Sequence, residues 1–312
     1  MLLCKDLPSK PLPNTGTILV TGASGYIGGR LVPELLARGY KVRIMVRKAS
    51  SLRKNHWPSV EVAVADALNL NQLETALDGI DTAYYLIHSL RLGPKEFKTV
   101  DIQAATNFRE IAVEKQIKRI IYLGGLGDVR RNLSSHLRNR IEVEEELKRG
   151  KIATTVLHAA IVIGTGSASY KIIQHLVKEL PIIPVPRMAK NKCQPIAIRD
   201  VIKYLVGVLE VPETAGKGFD IGGSDILSYK EMLKAFAAIL NKKTVFLSLP
   251  LSNIRFYSFF ASLLTPVPAP ITLCLLEGIK NEVICLEESI KSYLPFKPIA
   301  FREAVLEAMA RK

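Results

Sequence analysis

The sequence predicts an α/β fold: a doubly wound parallel sheet followed by a smaller, mostly helical C-terminal region. Three observations predict it. Apolar, β-branched runs at 17–21, 41–46, 60–65, 80–87, 118–123 and 152–158 alternate with helical periodicity over 26–38, 69–78, 95–115 and 135–149. The first run ends in the glycine-rich stretch Thr21-Gly-Ala-Ser-Gly-Tyr-Ile-Gly-Gly29, which opens straight into a helix carrying Leu31, Leu35 and Leu36. Beyond Gly164 the alternation gives way to a helical texture.

Taken in order, residues 1–15 hold Pro8, Pro11 and Pro13 and read as a flexible N-terminal arm. Residues 16–165 carry the alternating pattern and form the nucleotide-binding unit. In its strand–turn–helix, Gly22 permits the tight turn and Gly25 lets the backbone approach a pyrophosphate. Gly28 lets the helix pack close to the strand. Ser24, Tyr26 and Ile27 fill the turn between them, where the helix N-terminus presents N–H groups to an anion. This is a Rossmann-type dinucleotide site. The second strand, Arg43-Ile-Met-Val-Arg-Lys48, ends in Arg47 and Lys48 with no acid nearby. Two cations there suit the 2′-phosphate of NADP better than the free ribose of NAD, which stays open as the alternative. Asp66 and Ala67, at the end of the third run, are placed to meet the adenine, with a helix N-cap as the bland role for Asp66. Leu86 and Ile87 end the fourth run and His88 follows it, at the edge where the nicotinamide ribose belongs, and Gly124 follows the fifth.

Residues 166–312 are expected to complete the sheet through a short strand at 218–221 and to cover the substrate pocket. Helices are predicted at 167–180 and 198–210, and after Ser228, where Glu231 stands at the capping-box position. A strand is expected at 244–249. The apolar stretch 254–276 holds Phe256, Tyr257, Phe259 and Phe260 but is broken by Pro266, Pro268 and Pro270. It reads as a helical pair over a pocket or an oligomer face rather than a membrane span. Tyr170 is a candidate pocket liner.

The chain of 312 residues is 48% hydrophobic, enough for a sizeable core, and carries a formal charge of +14. Basic residues gather at Arg130, Arg131, Arg138, Arg140, Lys148, Arg149 and Lys151. No nucleic-acid motif or interleaved aromatic accompanies them, so a solvated basic face is the reading, with a peripheral membrane-surface contact kept open. The four cysteines form no CxxC pair and no metal-ligand spacing. Scattered thiols and the absence of a secretory leader point to a cytoplasmic protein, a monomer or a homodimer, with no metal.

Together, the glycine turn, the basic end of the second strand and Val64-Ala-Asp-Ala67 resemble the short-chain dehydrogenase/reductase superfamily. Tyr84-Tyr-Leu-Ile-His-Ser89, Ile121-Tyr-Leu-Gly-Gly-Leu-Gly127, His136-Leu-Arg-Asn-Arg140 and Val162-Ile-Gly-Thr-Gly-Ser-Ala-Ser169 are similar to its atypical branches. Those branches hold NmrA-like proteins and putative nucleoside-diphosphate-sugar epimerases. The likeness runs from about Thr17 to Asp225. It implies a Ser after the fifth strand and a Tyr-x-x-x-Lys pair on the next helix. This chain departs at each place. Gly124 and Gly125 replace the Ser, with Ser134 and Ser135 as loosely placed substitutes, and His136 and Arg140 take the Tyr and Lys spacing.

Three functions follow. The first is an NADP(H)-dependent oxidoreductase acting on a small, fairly apolar substrate. His136 or His88 would then manage the proton, and Arg140 would sit near the cofactor or an anionic group. The second is a non-catalytic NADP-binding regulator or assembly protein. A nucleotide-sugar epimerase or dehydratase, which needs the missing tyrosine, ranks third.

Overall fold

The computed structural model describes residues 2–52, 57–92, 96–128, 130, 132–249 and 253–310. Arg131 of the basic run, and residue 95 at the head of the predicted third helix, lie outside the described residues. Strands β1 (Thr17–Thr21), β2 (Val42–Val46), β3 (Glu61–Val64), β4 (Ile80–Tyr85), β5 (Arg119–Gly125) and β6 (Ala153–Ala159) fall on the predicted runs. With Gly218–Ile221 they make a seven-stranded sheet in the order Gly218–Ile221, β6, β5, β4, β1, β2, β3. Every neighbouring pair is parallel. The order reverses between β4 and β1, which is where an open α/β sheet leaves a crevice at its carboxyl edge.

Parallel neighbours need crossovers, supplied by α1 (Gly28–Ala37), α2 (Leu70–Leu77), α3 (Phe97–Glu114) and α4 (Ser135–Lys148). Strand alternation sorts the core into two layers. Ile18, Val20 and Ile121 pack with Leu31 and Leu35 of α1 and with Val201 and Leu205. Leu19, Ile120 and Tyr122 turn the other way, toward Leu73 of α2, Phe108 of α3 and Val143 of α4.

In the C-terminal region lie α5 (Ala168–Glu179), α6 (Ile198–Glu210), α7 (Tyr229–Ile239), α8 (Ile254–Leu264), α9 (Ala269–Gly278), α10 (Ile290–Tyr293) and α11 (Phe301–Ala310). The capping box of α7 forms as expected, Ser228 accepting from the Glu231 N–H and Glu231 from the Ser228 N–H. Helices α5, α7 and α11 enclose a third core. Tyr170 belongs to it, buried against Phe236 at 5.6 Å, so the expected pocket liner is a packing residue. No helix of the described residues is long and apolar enough to cross a membrane.

The N-terminal arm is not loose. Cys4 and Leu7 are buried in the first core. The N–H groups of Leu3 and Cys4 donate to the Glu34 carboxylate at 2.6 and 3.1 Å. Buried Glu210 accepts from Arg38, Tyr40 and Ser9, which ties the arm to the ends of α1 and α6. Three prolines stiffen a segment, and here the stiff segment lies along a surface that satisfies its polar groups.

On β6, His158 sits between two carboxylates, Nε2 at 2.7 Å from Glu144 and Nδ1 at 3.2 Å from Asp220. Burial alone would lower its pKa, but the bonds and charges of Asp220 and Glu144 raise it from 6.5 to about 9. A histidine raised in this way stabilises the fold fully below its unfolded value and loses that contribution as pH climbs through the folded one. We therefore expect His158→Gln to cost on the order of 2 kcal/mol at mildly acidic pH and almost nothing above the folded pKa. Urea unfolding of both proteins across that range reads the difference. A cost independent of pH would remove the charged triad.

Candidate functional site

The glycine turn is built by contacts that only glycine permits. Gly22 has φ +61°, and a Cβ there would stand 2.8 Å from the Leu86 carbonyl oxygen. A Cβ on Gly28 would stand 2.6 Å from the Gly22 oxygen and 2.8 Å from the Ala23 Cα. The Thr21 hydroxyl donates to the Tyr84 carbonyl at 3.0 Å and accepts the Leu86 N–H at 2.8 Å, which clamps the ends of β1 and β4 together. Ser24 and Gly25 are exposed at the tip, and Ile27 enters α1 without a side-chain cap. The first amides of the helix therefore face an open cradle suited to an anion. Tyr26 lies under the Arg30 guanidinium at 4.1 Å. Arg30 also donates to Thr165 at 2.7 Å, which draws the loop after β6 onto the turn.

Arg47 and Lys48 are exposed just past β2. Asp66 is half-buried; its Oδ1 accepts the Leu68 N–H at 3.0 Å. The N-cap of α2 is Asn69, which accepts the Gln72 N–H at 3.1 Å, so the capping role considered for Asp66 belongs three residues later. Ala67 is buried, its carbonyl accepting from Asn107 at 3.0 Å.

The structure brings His88 and His136 together. Their rings stack with centroids 5.1 Å apart and planes 25° from parallel, and Phe97 closes one side edge-on. Asp101 on α3, only 2% exposed, organises them. It meets His88 Nδ1 at 2.8 Å and accepts from the Ser89 N–H and Asn139 Nδ2, each at 2.9 Å. Burial pushes the Asp101 carboxyl up, but the bond and charge of His88, the Ser89 amide and Arg140 bring it below its ordinary value. Burial, then Arg140, lowers the His88 pKa against the pull of Asp101. Burial, His88 and Arg140 hold His136 well below 6.5. Two neutral imidazoles result. The ionised Asp101 takes the Nδ1–H of His88, and this leaves the lone pair on Nε2. Both His88 Nε2 and His136 Nδ1 are buried with no partner among the described residues.

Arg140 is buried beneath this pair. It donates to the Leu123 carbonyl and covers the Tyr122 ring at 4.6 Å. Gly124 lies against Tyr122 and His158, and a Cβ on Gly125 would stand 3.1 Å from Leu137. Ser134 is no stand-in for a catalytic serine. Its hydroxyl caps α4 and its N–H donates to Asn281 at 2.9 Å. Ser135 is exposed on the first turn of α4. Helix α9 packs against α4, which carries His136, and against the Leu90–Leu92 turn that follows His88. Leu86 and Ile87, just before His88, are half-buried.

The sequence reading missed Asp101 and Asn139. A signal for Asp101 was present: an acid within the apolar stripe Phe97, Ala104, Ala105 and Phe108 of α3. A separate cavity of about 510 Å³, lined by Gln194, Tyr204, Asp220, Cys285 and Phe296, shares no residue with this site. Among the described residues no cluster of His, Cys, Asp and Glu could hold a metal ion.

The sequence model of the NmrA-like family matches residues 14–287. The photosystem II assembly factor Ycf39 of Trieres chinensis is 26% identical over 255 residues, 78% of this chain and 76% of that protein. Cinnamoyl-CoA reductase 1 of Oryza sativa subsp. japonica is 24% identical over 258 residues, 70% of this chain and 74% of its own length. Sterol demethylase protein B of Methylococcus capsulatus is 32% identical over 116 residues, so this chain spans only 35% of that relative. Among solved structures, a nucleoside-diphosphate-sugar epimerase of Staphylococcus aureus superposes with TM-score 0.76 at 17% identity, covering 93% of this chain and 99% of the other. MoeE5 with UDP-glucose and NAD superposes with TM-score 0.72 at 18% identity, covering 95% and 98%. At these identities the structural likeness establishes the fold.

Imidazole nitrogen NMR tests the charge state of the pair. His88 and His136 should both titrate below 6.5, and Asp101→Asn should lower the His88 value further by removing the carboxylate charge. A wild-type His136 that titrates above the ordinary value would contradict the desolvated stack.

Proposed function

The chain belongs to the NmrA-like family, and from that premise we propose that it is an NADP(H)-dependent reductase of a small, fairly apolar substrate. The observation that carries this reading is the half-buried, stacked His88–His136 pair, each ring with a buried nitrogen, held by Asp101 at the carboxyl edge beside the glycine turn. Gly22, Ser24, Gly25, Tyr26, Ile27 and Gly28 would hold the pyrophosphate, because the close backbone contacts at Gly22 and Gly28, which admit no side chain, set the turn that leaves the first amides of α1 open. Arg47 and Lys48 would take a 2′-phosphate, Asp66 and Ala67 would border the adenine, and Leu86, Ile87 and Gly124 would line the nicotinamide end. A bound nicotinamide supplies the hydride.

The protein's task is then one proton per turnover. His136, neutral at physiological pH, can donate a ring N–H to a substrate oxygen as negative charge builds there. His88 Nε2, unprotonated and without a partner among the described residues, can take up a proton from solvent and hand it on to the reduced substrate, with Asp101 steadying the transient imidazolium. Arg140 makes both rings poor bases in the resting state. It acts on them through charge while its own guanidinium holds the Leu123 carbonyl. This assigns Arg140 a positioning and electrostatic role. A weak acid of this kind suits activated double bonds and quinone-like acceptors better than unactivated ketones. Helix α9, packed on α4 with Thr272 and Cys274 buried and apolar side chains around them, would supply low-polarity surface to such a substrate.

A second reading is a nucleotide-binding regulator or assembly protein. The Gly124–Gly125 pair in place of a serine and the engaged guanidinium of Arg140 support it, as does the assembly role of the Trieres chinensis relative. Epimerase chemistry stands behind both. Tyr85 and Tyr122, the tyrosines on neighbouring strands, are buried in the sheet with pKa values raised by desolvation.

NADPH oxidation across quinones, enones and aldehydes, with nucleotide affinity followed in parallel, decides between the first two. The reductase reading expects substrate-dependent oxidation that falls by about a hundredfold or more in His136→Ala and His88→Ala, with nucleotide affinity retained. Tight nucleotide binding without turnover on any class would leave the regulator. Separately, Arg47→Glu should weaken NADP by about tenfold or more and leave NAD nearly unchanged. Equal losses would place the 2′-phosphate elsewhere.

A further inference from the structure

Helix α8 turns its apolar side outward. Ile254, Tyr257, Ser258 and Ala261 are buried, while the opposite face exposes Phe256, Phe259, Phe260, Leu263 and Leu264. Phe259 is 60% and Leu263 66% exposed. The rings form a continuous patch, with Phe256 and Phe260 centroids 4.7 Å apart and Phe259 and Phe260 6.0 Å apart. A scattered exposed leucine is ordinary, but five large apolar side chains on one short helix mark a surface that meets something.

Charge identifies what it meets. From Met232 to Leu276 the chain has no acidic residue, while Lys234, Lys242, Lys243 and Arg255 are all exposed. Among the described residues none of these four cations pairs with a carboxylate. Lys242 donates to the Lys178 carbonyl and so stays close to another lysine. Val245 and Leu247, just beyond Lys243, are exposed as well. A phenylalanine- and leucine-rich helix face, in a stretch of chain whose only charged residues are these four exposed cations, is the pattern of a helix lying in the headgroup plane of an anionic bilayer. At 11 residues α8 is about 16 Å long, too short to cross and long enough to lie flat.

The geometry points to α8 as the element by which this protein docks on an anionic lipid surface, its phenylalanine rings in the acyl boundary and its basic neighbours on the headgroups. Because α8 packs on α9, and α9 packs on α4, a single helix separates the docked α8 from the element that carries His136. On the reductase reading this gives a lipid-dissolved substrate a short path to the site; the docking itself does not depend on turnover.

Flotation of the full chain with vesicles tests it. The wild type should float with vesicles of equal parts phosphatidylcholine and phosphatidylglycerol, about tenfold less with phosphatidylcholine alone, and less as salt rises. Phe259→Glu with Leu263→Glu should lower flotation about tenfold or more while the thermal midpoint stays put, since both side chains are already in water. Lys242→Glu with Lys243→Glu, which leaves the apolar face intact, should lose the preference for the anionic vesicles. Wild-type protein that stays at the bottom of the gradient overturns the proposal, as does a doubly acidic α8 that floats like the wild type. Sedimentation showing a dimer that this same variant splits, with no vesicle binding, would assign the face to a second copy instead.

Discussion

The close approach of two backbones at the end of β1 sets the geometry of everything at the carboxyl edge. Gly22 lies so near the Leu86 carbonyl that no side chain fits between them. The Thr21 hydroxyl then bridges Tyr84 and Leu86 and fixes how the chain leaves β4. Two residues later that exit delivers His88. On the other side Gly28 lets α1 descend onto Ala23, so its amides open beside the same crevice. An open, amide-lined turn and the His88 imidazole are thus placed by one steric constraint. Loosening it would move both.

Desolvation governs the chemistry available there. Two imidazoles stacked beside a buried guanidinium cannot afford charge, and both are held neutral. Asp101 is the exception that makes this stable. It keeps its charge because a histidine, a backbone amide and a buried asparagine surround it with donors. Its presence fixes one tautomer of His88 and orients the ring toward His136. Had Asp101 been an apolar residue, the sheet and helices would stand unchanged while the rings would be free to turn.

Most of the sheet was legible in the sequence because its information is local. The apolar, β-branched run of each strand, the glycine turn and the Ser228–Glu231 capping box are each written within a few residues. What was illegible depends on contacts between distant segments. The arm at 1–15 has proline composition of a loose tail, yet Glu34 and Arg38 bind its backbone and Glu210 its Ser9 hydroxyl. Asp101 reads as one more helical acid until folding sets it 2.8 Å from His88. Ser134 resembles a spare nucleophile until Asn281, 147 residues away, takes its N–H. Tyr170 follows a ligand-loop pattern, but the third core, assembled from α5, α7 and α11, claims its ring.

The partnerless nitrogens are the physical argument for chemistry over mere nucleotide sensing. A buried donor or acceptor left unmade costs about 1–3 kcal/mol, and most folds avoid it. His88 Nε2 and His136 Nδ1 both remain so among the described residues, on two rings stacked 5.1 Å apart. A site that moves a proton needs such groups, because a nitrogen already bonded to the protein has nothing to offer a substrate.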